Sequence, residues 1–187
     1  MLRGIEFKKE FIERYERLLG DEVDLFLECC KRPLTPSIRV NTLKIDVESL
    51  LERLEARGFK VEVADWCPLL FTVEGPESLG LLFEYFLGLY YVQEASSLVA
   101  PMALDPQPGE TILDLCAAPG GKATHIAQLM GNTGTIVAND VQPKRLSALS
   151  GNLHRLGVLN TFITAYNGLK FPDVGLRFDR ALVDAPC

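Results

Sequence analysis

ILDLCAAPGGKATHIAQ, residues 112–128, is the segment that decides the fold of this chain. Its first residues form a short apolar run typical of a buried parallel strand, and a helical pattern begins at Lys122. Small residues, a proline and two glycines lie between them. A strand that turns through glycines into a helix presents backbone N–H groups and the positive end of a helix dipole to one small volume. The segment therefore predicts a nucleotide-like cofactor site at the carboxyl end of the strand.

Small side chains in this loop would let a ligand lie close to the backbone. The candidate contacts are Cys116, Ala117, Ala118, Pro119, Gly120, Gly121 and Lys122. The loop has neither the G-x-G-x-x-G pattern of dinucleotide enzymes nor the G-x-x-x-x-G-K-[ST] pattern of Walker loops. A second apolar run at 135–139 leads to Asp140, about 20 residues past the loop, where an acid usually binds ribose hydroxyls.

Alternating strands and helices over residues 93–187 predict an α/β fold with a doubly wound, mostly parallel Rossmann-like sheet. The loop, Asp140, Asn167 and Asp184 each follow one of its predicted strands, so we expect them at one rim of the sheet. An amide at Asn167 could pair with a purine edge, with helix capping as the alternative. Asp184 could accept a hydrogen bond from an amine of the cofactor or the substrate.

Two further side chains near this rim, Cys187 and His125, are of types that often carry out chemistry. Cys187, which follows a proline at the sheet edge, is a candidate reactive thiol. His125 is interpreted as a helix-surface residue and not as a base.

The part of the chain before residue 93 predicts two other regions. Residues 1–35 read as a helical extension, and residues 36–92 as a small α/β module with strand–helix–strand–strand order. That order includes RNA-recognition modules, although a packing subdomain explains it equally well. The aromatic stretch at 83–92 favours core or interface packing over base stacking. Residues 93–187 would then be the cofactor-binding domain.

Composition limits the classes of protein. The 187 residues have a net charge of −6, with the acidic excess in the N-terminal half, so composition does not by itself predict nucleic-acid binding. Five cysteines without a C-x-x-C pair argue against a disulfide framework and a structural metal, and the adjacent Cys29 and Cys30 are expected to be buried thiols on a helix. No signal peptide or long apolar segment is recognised, which predicts a cytoplasmic protein without a membrane contact. The oligomeric state is left open.

Five segments together resemble one known family. They are SIRVNTLK (37–44), YVQEASS (91–97), the 112–128 segment, IVANDVQPKR (136–145) and FDRALVDAPC (178–187). In this order they are similar to the RNA cytosine-5 methyltransferases of the NOL1/NOP2/sun family, and the N-terminal spacing is most similar to archaeal tRNA members. The resemblance implies S-adenosyl-L-methionine as cofactor, held by residues 116–122, with its ribose on Asp140, a nearby contact at Arg145, and its methionine or the base at Asp184. The family usually carries an aspartate where this chain has Asn167.

The same resemblance implies methyl transfer to C5 of cytosine in RNA, with tRNA as the first candidate substrate. In the family a cysteine thiolate adds to C6, which activates C5 toward the methyl group. That attacking cysteine lies in a later motif, and the proline-preceded cysteine, here Cys187, assists product release. We therefore expect Asp184 and Cys187 as catalytic residues, the nucleophile downstream of residue 187, and a chain that is the N-terminal portion of the enzyme and inactive alone.

Three other functions remain open at this stage. One is an rRNA cytosine-5 methyltransferase. A dinucleotide-dependent oxidoreductase would use the same strand–loop–helix and Asp140, although its glycine fingerprint is missing. A non-catalytic RNA-binding protein would agree with the missing nucleophile and the small N-terminal module.

Overall fold

The computed structural model describes residues 6–32 and 34–185. Its helices are α1 (Lys9–Leu19), α2 (Val23–Cys30), α3 (Val47–Ala56), α4 (Phe83–Phe86), α5 (Val99–Leu104), α6 (Gly121–Leu129) and α7 (Pro143–Leu156). Its strands are β1 (Ser37–Val40), β2 (Lys60–Ala64), β3 (Cys67–Glu74), β4 (Tyr90–Val92), β5 (Thr111–Asp114), β6 (Thr135–Asn139), β7 (Thr161–Thr164) and β8 (Arg180–Leu182). Short 3₁₀ helices lie at Gly20–Glu22, Leu79–Leu81, Ala95–Leu98 and Gly168–Val174. The chain divides into two compact units, Met1–Thr35 and Pro36–Cys187.

The first unit contains α1 and α2. Aromatic side chains join the two helices: the ring centroid of Phe26 on α2 lies 4.4 Å from that of Tyr15 and 6.2 Å from that of Phe11, both on α1. Cys29 and Cys30 are exposed, so the expectation of two buried thiols is wrong. Their helix is short, and it has no buried residue among those described.

The second unit begins with an antiparallel sheet in the order β2-β3-β1-β4. Helix α3 begins after Asp46, whose carboxylate accepts a hydrogen bond from the Ser49 backbone N–H at 2.7 Å and so caps the helix. Its apolar residues Leu50 and Leu54 are fully buried against the sheet core. Strand β4 comes from the aromatic stretch, which was expected to pack but not to pair as a strand.

The second sheet is parallel, in the order β7-β6-β5-β8, as the alternation of strands and helices predicts. Helix α6 connects β5 to β6, and α7 connects β6 to β7. Helix α7 begins at Pro143, whose fixed φ suits the first turn, and ends before Gly157, which has the left-handed φ of 75°. The core of this layer is made of Ile112, Ile126, Ile136 and Leu149, all fully buried, with their neighbours.

The segment after β1 attaches the antiparallel sheet to the end of α7. Asn41, which is buried, donates from Nδ2 to the carbonyls of Gly88 and Leu156, both at 2.8 Å. Lys44 donates from Nζ to the carbonyls of Leu87 and Arg155, at 2.8 and 2.7 Å. A cation at a helix C-terminus is favourable, so this attachment also stabilises the last turn of α7.

No helix within 6–32 and 34–185 is both long and apolar enough to cross a membrane. The predicted boundary between residues 92 and 93 lies inside the second unit, and it stays a prediction.

Candidate functional site: the loop between β5 and α6

The loop after β5 is held open by its own backbone. Gly120 has a φ of 107°, a left-handed conformation that glycine adopts without strain, and it precedes α6 directly. Its N–H donates to the Ala117 carbonyl at 2.7 Å, while the Ala117 N–H donates to the Asn139 carbonyl at 2.7 Å. The loop is thus fixed to the end of β6, and the N-terminus of α6 faces the space above it.

A cavity of about 450 Å³ lies against this loop. Most residues predicted from the sequence line it, namely Cys116, Ala117, Ala118, Pro119, Gly121, Lys122, Arg145 and Asp184. The antiparallel sheet and the segment after it contribute residues that sequence reasoning did not assign to the site: Tyr91, Val92, Gln93, Glu94 and Ser97. These residues belong to the YVQEASS segment that resembles the family, and only the tertiary structure brings it to the loop.

Gly121 lies in a tightly packed position beside Tyr91 and Gln93. A Cβ atom there would lie 3.2 Å from Cε1 of Tyr91 and 3.4 Å from Nε2 of Gln93. The small residue therefore lets β4 and the first turn of α6 meet as one continuous wall of the cavity.

Asp140 lies behind the cavity wall and is only 2% exposed. Its Oδ2 forms an ion pair with Nη1 of Arg145 at 3.0 Å, and its Oδ1 accepts from the Gln142 N–H at 2.9 Å. Arg145 also donates to the Ala118 carbonyl. Arg145 therefore connects the predicted ribose-binding acid to the loop, and its own side chain forms the cavity surface.

Lys122 and Asp184 form an ion pair across the cavity, with Nζ and Oδ2 2.5 Å apart. The Asp184 side chain is 55% exposed, so the pair lies at the open end of the cavity. Both groups present charge and hydrogen-bonding capacity to any ligand that enters. Cys187 lies outside the described residues.

The surroundings of Cys116 favour its thiol over its thiolate. Burial and the negative charges of Asp114 and Asp140 raise the pKa of its thiol above the ordinary value. Burial also raises the pKa of the Asp114 carboxyl, at the end of β5, to about 7. Asp114 was not among the predicted site residues, although its place at the end of the first strand was a usable signal.

Asn139 joins the carboxyl ends of the central strands. Its Nδ2 donates to the carbonyls of Leu115 and Tyr166, at 3.0 and 2.9 Å. Its Oδ1 accepts from the Thr164 hydroxyl and the Tyr166 N–H, both at 2.9 Å. This buried amide, whose sequence position predicts only a strand residue, holds β5, β6 and the end of β7 together.

Two predicted residues have other surroundings. Asn167 is exposed and accepts from the Leu169 N–H at 3.0 Å, so its side chain caps the 3₁₀ helix Gly168–Val174 and does not line the cavity. His125 is fully buried, which corrects the expectation of a helix-surface residue. Its burial follows from the packing of α6 on both layers of the second unit, which leaves most of that helix inaccessible. In the described part of the chain, no group of three His, Cys, Asp or Glu side chains could hold a metal ion.

The fold and the site together define a class: an α/β protein whose parallel sheet carries a nucleotide-type cofactor cavity at the carboxyl end of its strands. Family models narrow this class. The model described as 16S rRNA methyltransferase RsmB/F matches residues 101–187, and that of the N-terminal domain of 16S rRNA methyltransferase RsmF matches residues 7–95. The chain belongs to the NOL1/NOP2/Sun family of methyltransferases.

Individual relatives agree with this assignment. The chain is 43% identical to the tRNA (cytosine(49)-C(5))-methyltransferase of Pyrococcus abyssi, over 97% of this chain and 59% of the relative. It is 41% identical to ribosomal RNA small subunit methyltransferase F of Vibrio campbellii, over 98% of this chain and 40% of the relative. The structure of NSun6 from Pyrococcus horikoshii with SFG, an analogue of S-adenosylmethionine, superposes with a TM-score of 0.88 at 26% identity, over 97% of this chain and 71% of that one. The chain thus spans about half the length of these curated relatives.

Proposed function

We propose that this chain binds S-adenosyl-L-methionine and belongs to an enzyme that methylates C5 of cytosine in RNA. The observation that carries the proposal is the cavity against the loop between β5 and α6, lined by eight of the residues predicted from sequence. Its volume of about 450 Å³ falls in the range typical of small-molecule sites, roughly 300–1,000 Å³. The small residues of the loop and the N-terminus of α6 suit a polar nucleoside with a carboxylate.

In this proposal the loop, residues 116–122, holds the cofactor against its backbone. Asp140 binds the ribose hydroxyls once Arg145 moves aside, and the Arg145 side chain, which is 39% exposed, has room to do so. When bound, the cofactor supplies an electrophilic methyl group. The structure weakens the case for an adenine contact at Asn167, because its side-chain oxygen Oδ1 already caps a 3₁₀ helix.

Lys122 and Asp184 would frame the entry of the target base. Asp184 accepts a hydrogen bond from an amine, and the exocyclic amine of cytosine is such a donor. The raised pKa of Cys116 supports a nucleophile elsewhere than in the loop. Cys187 is proposed to act in product release, as the family resemblance implies.

Transfer RNA is the proposed substrate, and the similarity to the Pyrococcus abyssi tRNA enzyme supports it. Small-subunit rRNA is a second candidate, which the two family models and the Vibrio relative support. Competition filter binding, with labelled tRNA displaced by unlabelled tRNA or 16S rRNA fragments, separates the two.

We also propose a three-part organisation (1–35, 36–92 and 93–187) and a cytoplasmic location.

Calorimetric titration tests the cofactor directly. We expect S-adenosyl-L-methionine to bind with one site per chain and NAD to give no heat of binding. Tight NAD binding in place of S-adenosyl-L-methionine would instead support a dinucleotide-dependent oxidoreductase, and binding of neither would leave only a non-catalytic role.

A further inference from the structure

Arg39, in the middle of β1, is a buried cation that contacts the cofactor loop from behind. It is 1% exposed. Its Nη1 donates to the Gly121 carbonyl at 2.7 Å and to Oε1 of Gln93 at 2.8 Å. Its Nη2 donates to the Thr124 hydroxyl at 2.8 Å. One guanidinium from the antiparallel sheet therefore holds the first turn of α6 at two points.

No acid within the described residues forms an ion pair with Arg39. By contrast, Arg57, Arg145 and Arg180 of the second unit each form an ion pair with a carboxylate. A buried cation without a carboxylate is costly unless its hydrogen bonds are well placed. Those that Arg39 makes go to the α6 turn and to a residue of the cavity wall. If this side chain only packed β1 against α6, a neutral apolar residue would do so at a lower free-energy cost of burial. We therefore infer that the hydrogen bonds of Arg39 have a further role.

Two of the three residues that accept hydrogen bonds from Arg39 line the cavity. Gly121 and Gln93 line it directly, and so does Tyr91, whose ring centroid lies 5.6 Å from the Arg39 guanidinium carbon. The pairing of Arg39 with Tyr91 across β1 and β4 fixes the ring beside Gly121. Arg39 itself does not line the cavity, so it acts through these neighbours.

We propose that Arg39 is a positioning residue for the cofactor site: its guanidinium fork fixes the first turn of α6 against Tyr91 and Gln93, so that the antiparallel sheet sets the shape of the cavity. The planar fork can bond the carbonyl and the hydroxyl at once, which a lysine ammonium cannot do with the same geometry. The small sheet is then part of the methyl-transfer site and not only a module beside it. This inference rests on the proposed function, because it concerns the same cavity.

Asn41 provides a matched control on the same segment. It is also buried and also attaches the antiparallel sheet to a helix of the parallel layer, but its bonds go to the Gly88 and Leu156 carbonyls, and neither residue lines the cavity. Loss of Asn41 should weaken the attachment without altering the α6 turn. Loss of Arg39 should do both.

The experiment measures S-adenosyl-L-methionine affinity by calorimetry and the midpoint of thermal unfolding for four variants of the chain. Arg39→Lys and Arg39→Met are expected to weaken binding at least tenfold. Thr124→Val, which removes one acceptor and keeps the guanidinium, is expected to weaken it about threefold. Asn41→Ser is expected to lower the unfolding midpoint as much as Arg39→Lys does, yet to keep its affinity within twofold of the unchanged chain.

The inference is overturned if Arg39→Lys retains full affinity, or if affinity falls in Asn41→Ser in proportion to its loss of stability. Should Arg39→Met not fold, Arg39→Lys and Thr124→Val decide the question by themselves. If the unchanged chain does not bind S-adenosyl-L-methionine, the proposed function is rejected. If the unchanged chain and the Arg39 variants bind it equally well, only the role of Arg39 is rejected.

Discussion

Two buried ionisable side chains near the loop oppose each other in their effect on stability. Burial raises the pKa of Asp114 to about 7, so the native chain holds this proton more tightly than the unfolded chain, whose aspartates titrate near pH 4. The contribution of Asp114 to the free energy of unfolding therefore falls as pH rises from about 4 to about 7.

His125 has the reverse sign. Burial, helped by the nearby positive charge of Arg39, lowers its pKa to about 3. The unfolded chain binds this proton more tightly, so the contribution of His125 rises with pH from about 3 to about 6.5. Between pH 4 and pH 6.5 the two effects largely cancel in the unchanged chain.

Single substitutions should separate these effects. Asp114→Asn removes the falling contribution, so its free energy of unfolding relative to the unchanged chain should increase by about 2 kcal/mol between pH 5 and pH 8. His125→Leu should change in the opposite direction over the same interval. Denaturant unfolding at the two pH values measures both, and a pH-independent offset for Asp114→Asn would contradict the buried-carboxyl explanation.

Asp140 is the residue whose loss should most directly affect the cofactor. A carboxylate that bonds two hydroxyls contributes on the order of 1.5–3 kcal/mol, so Asp140→Ala should weaken S-adenosyl-L-methionine binding by roughly 10- to 100-fold. Calorimetric titration gives the affinity, and Asp65→Ala, at an exposed turn of the antiparallel sheet, is the control. An unchanged affinity in Asp140→Ala would remove the ribose contact from the proposed function.

At the scale of secondary-structure elements, the site lies at strand ends that side-chain hydrogen bonds hold together, in addition to the backbone hydrogen bonds of the sheet. The Asn139 side chain makes four hydrogen bonds: one with Leu115 after β5, one with Thr164 at the end of β7 and two with Tyr166 after β7. Backbone groups at these ends have no further strand to pair with, so the buried amide satisfies them. These bonds therefore help to fix the position of the loop between β5 and α6, which lines the cavity.

Replacing Asn139 should therefore cost more than an ordinary asparagine substitution. Asn139→Ala leaves the Leu115 and Tyr166 backbone groups unpaired, and we expect a loss of about 2–4 kcal/mol in the free energy of unfolding, measured with denaturant. Asn160→Ala, which breaks one bond to the Thr133 carbonyl, should cost about 1 kcal/mol. Equal losses in the two variants would show that Asn139 does not hold the strand ends together.

At the scale of the whole molecule, one face of the parallel sheet is apolar and open. A hollow of about 670 Å³ there is lined by Val137, Phe162, Thr164, Ala165, Tyr166, Phe171, Val174 and Leu176. Phe162 on β7 is 67% exposed. Contiguous apolar surface of this kind promotes association between copies of a chain in water.

The 187-residue chain should consequently self-associate as its concentration rises. Phe162→Thr keeps a β-forming residue in the strand while removing the apolar ring, and it should shift association to higher concentration. Leu159→Ser, at an 84% exposed position outside this hollow, should have little effect. Sedimentation equilibrium measures the difference, and a monomeric unchanged chain at all accessible concentrations would contradict the expectation.

The sequence by itself determined the order of elements and the chemistry of the loop. The ends of α3 and α7 are set by residues next to them in the sequence: Asp46 caps α3, Pro143 begins α7 and Gly157 ends it. Eight predicted residues meet at the cavity because strands of a parallel sheet carry their carboxyl ends to one rim. Such features depend on neighbours along the chain or on a general property of the fold.

Tertiary structure alone decided which distant residues complete the site. Arg39 and Tyr91 reach Gly121 only because β1 and β4 pair side by side and then pack on α6. Arg39 and Gly121 are 82 positions apart in sequence. The same packing buries His125. The side chain of Asn167 caps a 3₁₀ helix and does not line the cavity. Burial and hydrogen-bond partners are properties of the packed molecule, because they are set by which surfaces exclude water and not by local sequence pattern.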